Sequence, residues 1–217
     1  PVASIMLLAL LVANGFAVSL TPVELRCEYG VNPLGVDVSA PRLSWKLVST
    51  ENSQRQSAYQ IMVANSAELL TKNEGDLWDS GKVASDETLH IKYAGKALAA
   101  SQQVFWKVRV WDAKGEASAW AASASWTMGL LNAEDWRGKW ICATSATEAL
   151  LLRKEFSVKP GLKRAVVHIC GLGSFEIFLN GAKVSDDLLA PGWTDYAETT
   201  LYHTSDVTAQ LRAGRNA

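Results

Sequence analysis

Six side chains able to engage a ligand lie within FEIFLNGAKVSDDLLAPGWTDY, residues 175–196: Asn180, Asp186, Asp187, Trp193, Asp195 and Tyr196. An exposed indole stacks on the C–H face of a sugar ring. Beside it, Asp195 would accept from sugar hydroxyls. Asp186 and Asp187 carry hard oxygen donors of the kind divalent cations take. Each position also has a structural reading. Asn180-Gly181 is the preferred pair for a type I′ turn, in which both central residues need φ > 0. Adjacent acids in a loop are commonly just solvated. A Trp that follows a Pro-Gly turn, as Trp193 follows Pro191-Gly192, can plug the open end of a sandwich or pack against a further domain. The sequence leaves both readings open.

No catalytic residue is expected. No G-x-S-x-G marks a nucleophile, and no Cys–His pair has metal-ligand spacing among Cys27, Cys142, Cys170, His90, His168 and His203. Glu134 and Asp135 are neighbours on one loop, so they do not flank a scissile bond. An odd cysteine count cannot fully pair; Cys170, in an alternating run, reads as a small core residue.

The elements that must position these residues read as β throughout. In RLSWKLV, Leu43, Trp45 and Leu47 share a face, the period-2 mark of a half-buried strand. AYQIMVA repeats the pattern with Tyr59, Ile61 and Val63. In VFWKVRVWD, Val104, Trp106, Val108 and Val110 lie opposite Lys107 and Arg109. DAKG, residues 112–115, turns this strand back into ASAWAASASWTM. NSAELLTK reads as one or two helical turns capped by Ser66, and DLWDSGKV and LHIKYAG as shorter strands. About seven short strands predict an immunoglobulin or fibronectin type III-like sandwich over 20–128. Trp45, Trp106 and Trp126 fall on inward positions; Trp111 and Trp120 bracket the hairpin and are expected to form an exposed patch. GLLNAEDWRGKW loses the alternation, which places a linker at 129–138, with Trp136 and Trp140 wedged between two sandwiches. Strands resume in LLLRKEFSV, RAVVHICGLG, SFEIFLNG, KVSDDLLA and TTLYHTSDVT. They predict a second, incomplete, jelly-roll-like β-sandwich over 139–217.

The balance of 21 basic and 22 acidic side chains, with no block of like charge, gives no footprint for nucleic acid or an anionic membrane. Nine Trp residues fit bulky sandwich cores or sugar-stacking surfaces alike. The apolar run from Val2 to Ala13 is too short to span a bilayer. It reads as the core of an N-terminally clipped signal peptide over 1–17. That predicts a secreted or periplasmic protein with no membrane span after cleavage. No small residue precedes Cys27 as a lipoprotein anchor requires.

NPLGVD, PRLSWKL, QSAYQIMVA, LWDSGKV and FWKVRVWDAKGEASAW resemble the N-terminal fibronectin type III-like domain of bacterial α-L-rhamnosidases, glycoside hydrolase family 78. LLRKEFSV, LGSFEIFLNGAKV, APGWTDY and LYHTSDVT resemble the β-sandwich that follows it there. The resemblance covers nearly all of the chain after the leader, in order. It implies catalysis by an inverting pair of carboxylates in a C-terminal (α/α)6 barrel, roughly 6.5–9.5 Å apart, onto which no residue here maps. This part of such an enzyme is then inert by itself. Its partners would be a rhamnose-containing carbohydrate and its own catalytic barrel. No cofactor is required. Some sandwich modules of this family resemble carbohydrate-binding modules that hold rhamnose, sometimes through calcium; by their chemistry Asp186 and Asp187 could supply its oxygen ligands, with the Asn180 amide pointing at the sugar. The alternative is a non-enzymatic carbohydrate-binding or adhesin-type β-sandwich protein.

Overall fold

The computed structural model describes residues 20–143 and 150–217, so the expected leader lies outside the described residues. The first unit has seven strands: β1 (Leu20–Cys27), β2 (Arg42–Ser49), β3 (Ala58–Ala64), β4 (Trp78–Asp79), β5 (Ile91–Lys92), β6 (Gln103–Trp111) and β7 (Ala124–Thr127). They form two antiparallel sheets, in the orders β1-β2-β5 and β4-β3-β6-β7. The alternating residues meet between them. Leu43, Trp45, Ile61, Val63, Val104, Trp106, Val108, Val110 and Trp126 are buried in one cluster. Trp45 Nε1 donates to Gln56 Oε1 (3.1 Å), while Gln56 Nε2 donates to the carbonyls of Ser85 and Glu87. This buried amide is therefore satisfied on both sides.

The outer face of the larger sheet departs from the expected alternation, because β3 is buried along its whole length. Helix α1 (Ala67–Thr71), capped by Ser66 Oγ accepting from Leu69 N (3.3 Å), packs Leu70 against Met62 and Ala64. Lys107 is buried rather than solvated, and its ammonium donates to Asn73 Oδ1 (2.6 Å) and to the Leu70 carbonyl. Trp111 and Trp120 do not form the open patch expected of them. Arg109 lies between their rings, 5.0 and 4.8 Å from the two centroids, with Lys82 over Trp111 and Lys107 over Trp120, both at 4.7 Å. Each indole face attracts a cation, so the strand's cations and the hairpin's rings cover one another.

The second unit adds β8 (Phe156–Val158), β9 (Val166–Cys170), β10 (Phe178–Leu179), β11 (Ala182–Lys183), β12 (Tyr202–Asp206) and β13 (Gly214–Asn216). They form three antiparallel pairs, β9–β12, β8–β13 and β10–β11. β13 lies in AGRNA, a segment with no alternation to announce it. β9 is half-buried along its length, Cys170 included, so this cysteine is less enclosed than a core position. Cys27, by contrast, is buried in the first core, and burial with the nearby Glu28 charge pushes its thiol up to about 12. It is inert as a thiolate.

The two units touch through polar groups. Leu130 N donates to Tyr202 Oη (2.9 Å), and Arg164 Nη2 donates to Thr127 Oγ1 (2.8 Å). His168 bridges the units, with Nε2 3.0 Å from Ser101 Oγ and Nδ1 2.9 Å from Thr204 Oγ1. Trp136 packs at 6.0 Å, centroid to centroid, on the Tyr202 ring while staying 36% exposed; Trp140, expected to share in a wedge, is instead 65% exposed and does not. Gly129 lies so close that a Cβ there would meet Tyr202 Oη at 2.3 Å.

His168 gives this contact a pH dependence. Desolvation, and then the Arg164 charge, hold its pKa below the ordinary 6.5. The folded state thus prefers the neutral ring. Stability is whole above the unfolded value near 6.5, declines as pH falls below it, and is lost once pH passes the folded pKa. Urea midpoints are expected to be lower at pH 5 than at pH 7.5, with a smaller difference in His168→Gln.

Candidate functional site

The loop that follows β11 and its flanks is the region where the sequence placed six candidates. Asn180 and Gly181 join β10 to β11 with φ of 53° and 85°, the type I′ geometry. Val184 N donates to the Ile177 carbonyl (2.9 Å), which extends the hairpin beyond its two paired residues on each strand. The Asn180 side chain is engaged within the chain. Its Nδ2 donates to the Gln210 carbonyl (2.8 Å) and Asn216 Oδ1 (2.9 Å), and its Oδ1 accepts from Ala217 N (3.1 Å). The amide pins the C-terminal segment to the hairpin, so turn chemistry accounts for this residue.

Asp187 Oδ2 accepts from Ser185 Oγ (2.8 Å) and lies 3.2 Å from His203 Nε2 on β12. Asp186 is exposed beside it. Among the described residues no group of three His, Cys, Asp or Glu converges as a metal site would require. The partner missed by sequence reasoning is His203. It lies sixteen positions from Asp187, on β12, and meets the loop only in the folded chain.

Beyond the acids the chain is apolar and open. Leu188 and Leu189 are exposed, and with Ser174, Phe175 and Glu176 they line a shallow cleft of about 400 Å³. Phe175 N donates to the Ala190 carbonyl (3.0 Å), which fixes the loop against the strand leading into β10; a cis Ala190-Pro191 bond follows. Trp193 is then 91% exposed. Asp195 is less free, because Oδ1 accepts from Ala197 N (3.0 Å) and its carbonyl accepts from Glu198 N and Thr199 N. Tyr196 is half-buried. Of the six candidates, Trp193 presents a free face, while Asn180 and Asp195 are engaged within the fold. Trp193 on this chain does not plug the sandwich end. The arrangement is chemically a stacking surface beside a shallow apolar cleft.

An immunoglobulin-type sandwich followed by a smaller β unit with such a loop defines a class of accessory β module. The chain belongs to the Rha78A-like N-terminal immunoglobulin domain family, whose model matches residues 22–132; residues 161–217 match the alpha-L-rhamnosidase N-terminal domain. An alpha-L-rhamnosidase of Formosa agariphila is 39% identical over 197 residues, covering 85% of this chain and 21% of that protein. One from Streptomyces avermitilis is 50% identical over 123 residues, covering 56% and 12%. In three dimensions the chain resembles the alpha-L-rhamnosidase of Dictyoglumus thermophilum, with a TM-score of 0.82 at 41% identity over 90% of this chain and 24% of that one. It also resembles the Streptomyces avermitilis enzyme solved with L-rhamnose, with a TM-score of 0.56 at 33% identity over 91% and 21%. The chain thus spans about a fifth of the length of the relatives it matches most extensively, in their N-terminal, non-catalytic part. The α-helix of the described residues is five residues long, so they contain no helical barrel.

Proposed function

We propose that these residues are the non-catalytic N-terminal part of a secreted or periplasmic α-L-rhamnosidase that removes terminal α-L-rhamnose from glycosides or polysaccharides. The observation that carries this reading is the ordered match of both units to the N-terminal domains of rhamnosidases. Hydrolysis would belong to an inverting carboxylate pair in an (α/α)6 barrel, and the first sandwich would brace that barrel. The test is turnover of p-nitrophenyl α-L-rhamnopyranoside. The whole protein carrying these residues is expected to release L-rhamnose with inversion, and residues 1–217 alone to release none. An absence of turnover by the whole protein would favour the lectin-like alternative.

The loop at Trp193 is proposed as a weak rhamnose-contacting surface, supported by the exposed indole beside the Leu188–Leu189 cleft. Calcium, if taken, would be held by Asp186 and Asp187. Calorimetric titration of L-rhamnose with calcium, and then with EDTA, tests both parts. The affinity of this loop for L-rhamnose is expected to fall about tenfold in Trp193→Ala, the equivalent of about 1.4 kcal/mol. Equal affinity in the variant removes Trp193 from the site, and equal affinity in EDTA removes calcium.

A further inference from the structure

The opposite part of the sequence, at the end of β1, carries a constellation that the rhamnosidase reading does not use. Glu28 and Tyr29 form a two-residue turn closed by the Cys27–Gly30 bridge, with φ of 44° and 67°. Such a turn favours Asn and Gly. Here it carries two long side chains in the left-handed region, a strained conformation for both. A third residue of the same kind, His90 at φ 58°, meets them from the segment leading into β5.

These side chains build one rigid object. Tyr29 Oη lies 2.9 Å from His90 Nε2, and the two rings meet edge-on at 5.4 Å. The Arg42 guanidinium lies 5.1 Å from the Tyr29 centroid. Its Nε donates to both oxygens of Glu28 (3.1 and 3.0 Å), and Glu28 Oε1 also accepts from Arg42 N. Arg26 Nη1 donates to the Tyr29 carbonyl (3.1 Å). Tyr29 is nevertheless 61% exposed, so much of its ring meets solvent. Leu89, adjacent to His90, is exposed as well.

We propose that Tyr29, fixed by His90 and Arg42, is a stacking platform for a neutral pyranose ring. The exposed Tyr29 ring offers a flat apolar surface about one ring across, with Leu89 exposed nearby. A sugar ring matches that size and offers C–H groups to the π face. His90 is exposed, and its Nδ1 makes no hydrogen bond among the described residues, so it is available to a hydroxyl. The Arg42 charge is paired with Glu28, so the platform does not select an anion. Fixing the ring beforehand removes the rotamer entropy a free tyrosine would lose on binding. This site is on the first unit and stands independently of the Trp193 loop.

Saturation-transfer NMR on the full chain with methyl α-L-rhamnopyranoside tests it. Transfer to the sugar ring protons is expected in the Trp193→Ala chain, which isolates the share of the first unit, and is reduced at least fivefold when Tyr29→Ala is added. Tyr29→Phe keeps the ring and is expected to retain more than half of the transfer lost in Tyr29→Ala. Galacturonic acid is expected to gain nothing over the neutral probe. The proposal is overturned by no transfer to the wild-type chain, by equal transfer in Tyr29→Ala, by a Tyr29→Phe loss as large as that of alanine, or by preference for the anionic sugar. Loss in Trp193→Ala alone would place all binding on the second unit.

Discussion

Trp45→Ala is expected to lower the stability of the first sandwich by about 4 kcal/mol or more. Removing a buried Trp costs about 3–5 kcal/mol through lost transfer energy and the cavity left behind. Trp45 is 1% exposed and packs edge-on against Tyr59 at 5.3 Å. The substitution also strands Gln56 Oε1, and an unsatisfied buried acceptor adds roughly 1–3 kcal/mol. Against a domain stability of about 5–15 kcal/mol this is a large fraction. The urea midpoint should fall by roughly 2 M for an m-value of about 2 kcal/mol/M. Trp45→Phe keeps an aromatic ring but not the N–H, and should fall between the two. A midpoint shift under 0.5 M, read against that slope, would mean that the Trp45–Gln56 pair is not part of the cooperative core.

Gly129→Ala is expected to separate the two units while leaving each folded. A methyl group at this buried position would lie 2.3 Å from Tyr202 Oη and 3.0 Å from the Gly35 carbonyl oxygen. The first contact forces the Tyr202 side chain to move and the second is tight, and overpacking of this kind costs about 1–3 kcal/mol. The first group to yield is Tyr202, whose hydroxyl accepts from Leu130 N and whose ring packs against both Trp136 and His168. Amide exchange at Leu130 should therefore accelerate at least tenfold, the equivalent of about 1.4 kcal/mol, with little change at β3 and β6. Tyr202→Phe removes the nearest clashing atom. The double variant should be less destabilised than the sum of its parts, a coupling expected of residues in direct contact. Strict additivity would show that the clash is relieved elsewhere.

Much of the first unit was legible because its strands are half-buried. Leu43 and Trp45, or Val104 to Val110, alternate with residues that differ from them in polarity, and period 2 appears wherever one face meets the core. The covered outer face was not legible. Lys107 and Arg109 look solvated until Trp111 and Trp120 fold over them, and that contact depends on how the hairpin 112–115 closes. In the second unit the turn at Asn180-Gly181 was readable from turn chemistry alone. The partners of its amide were not, because Gln210, Asn216 and Ala217 reach it through the pairing of β13 with β8. Likewise nothing in the spacing links Asp187 to His203, or Tyr29 to His90 across sixty-one positions. Side-chain sites assembled from distant segments carry no local period. Trp193 was identifiable as a candidate by type, and its exposure is a property of the folded loop.

The ends of the two sheets in the first unit bear on how this protein behaves at high concentration. An exposed strand edge is a template on which another chain can add by main-chain hydrogen bonding. Here β4 and β5, which terminate their sheets, are two residues long. The opposite terminal strand β1 is long, but a register shift between Val23 and Arg26 breaks its edge, and Glu24, Arg26 and Lys46 surround the break with charge. β7 is four residues long, and beyond it Met128 bridges in parallel to Val36. Every edge of the first sandwich is short, interrupted or occupied. Intermolecular strand addition is therefore disfavoured there, and self-association should begin instead from the exposed leucines of the second unit, by apolar contact rather than by sheet extension.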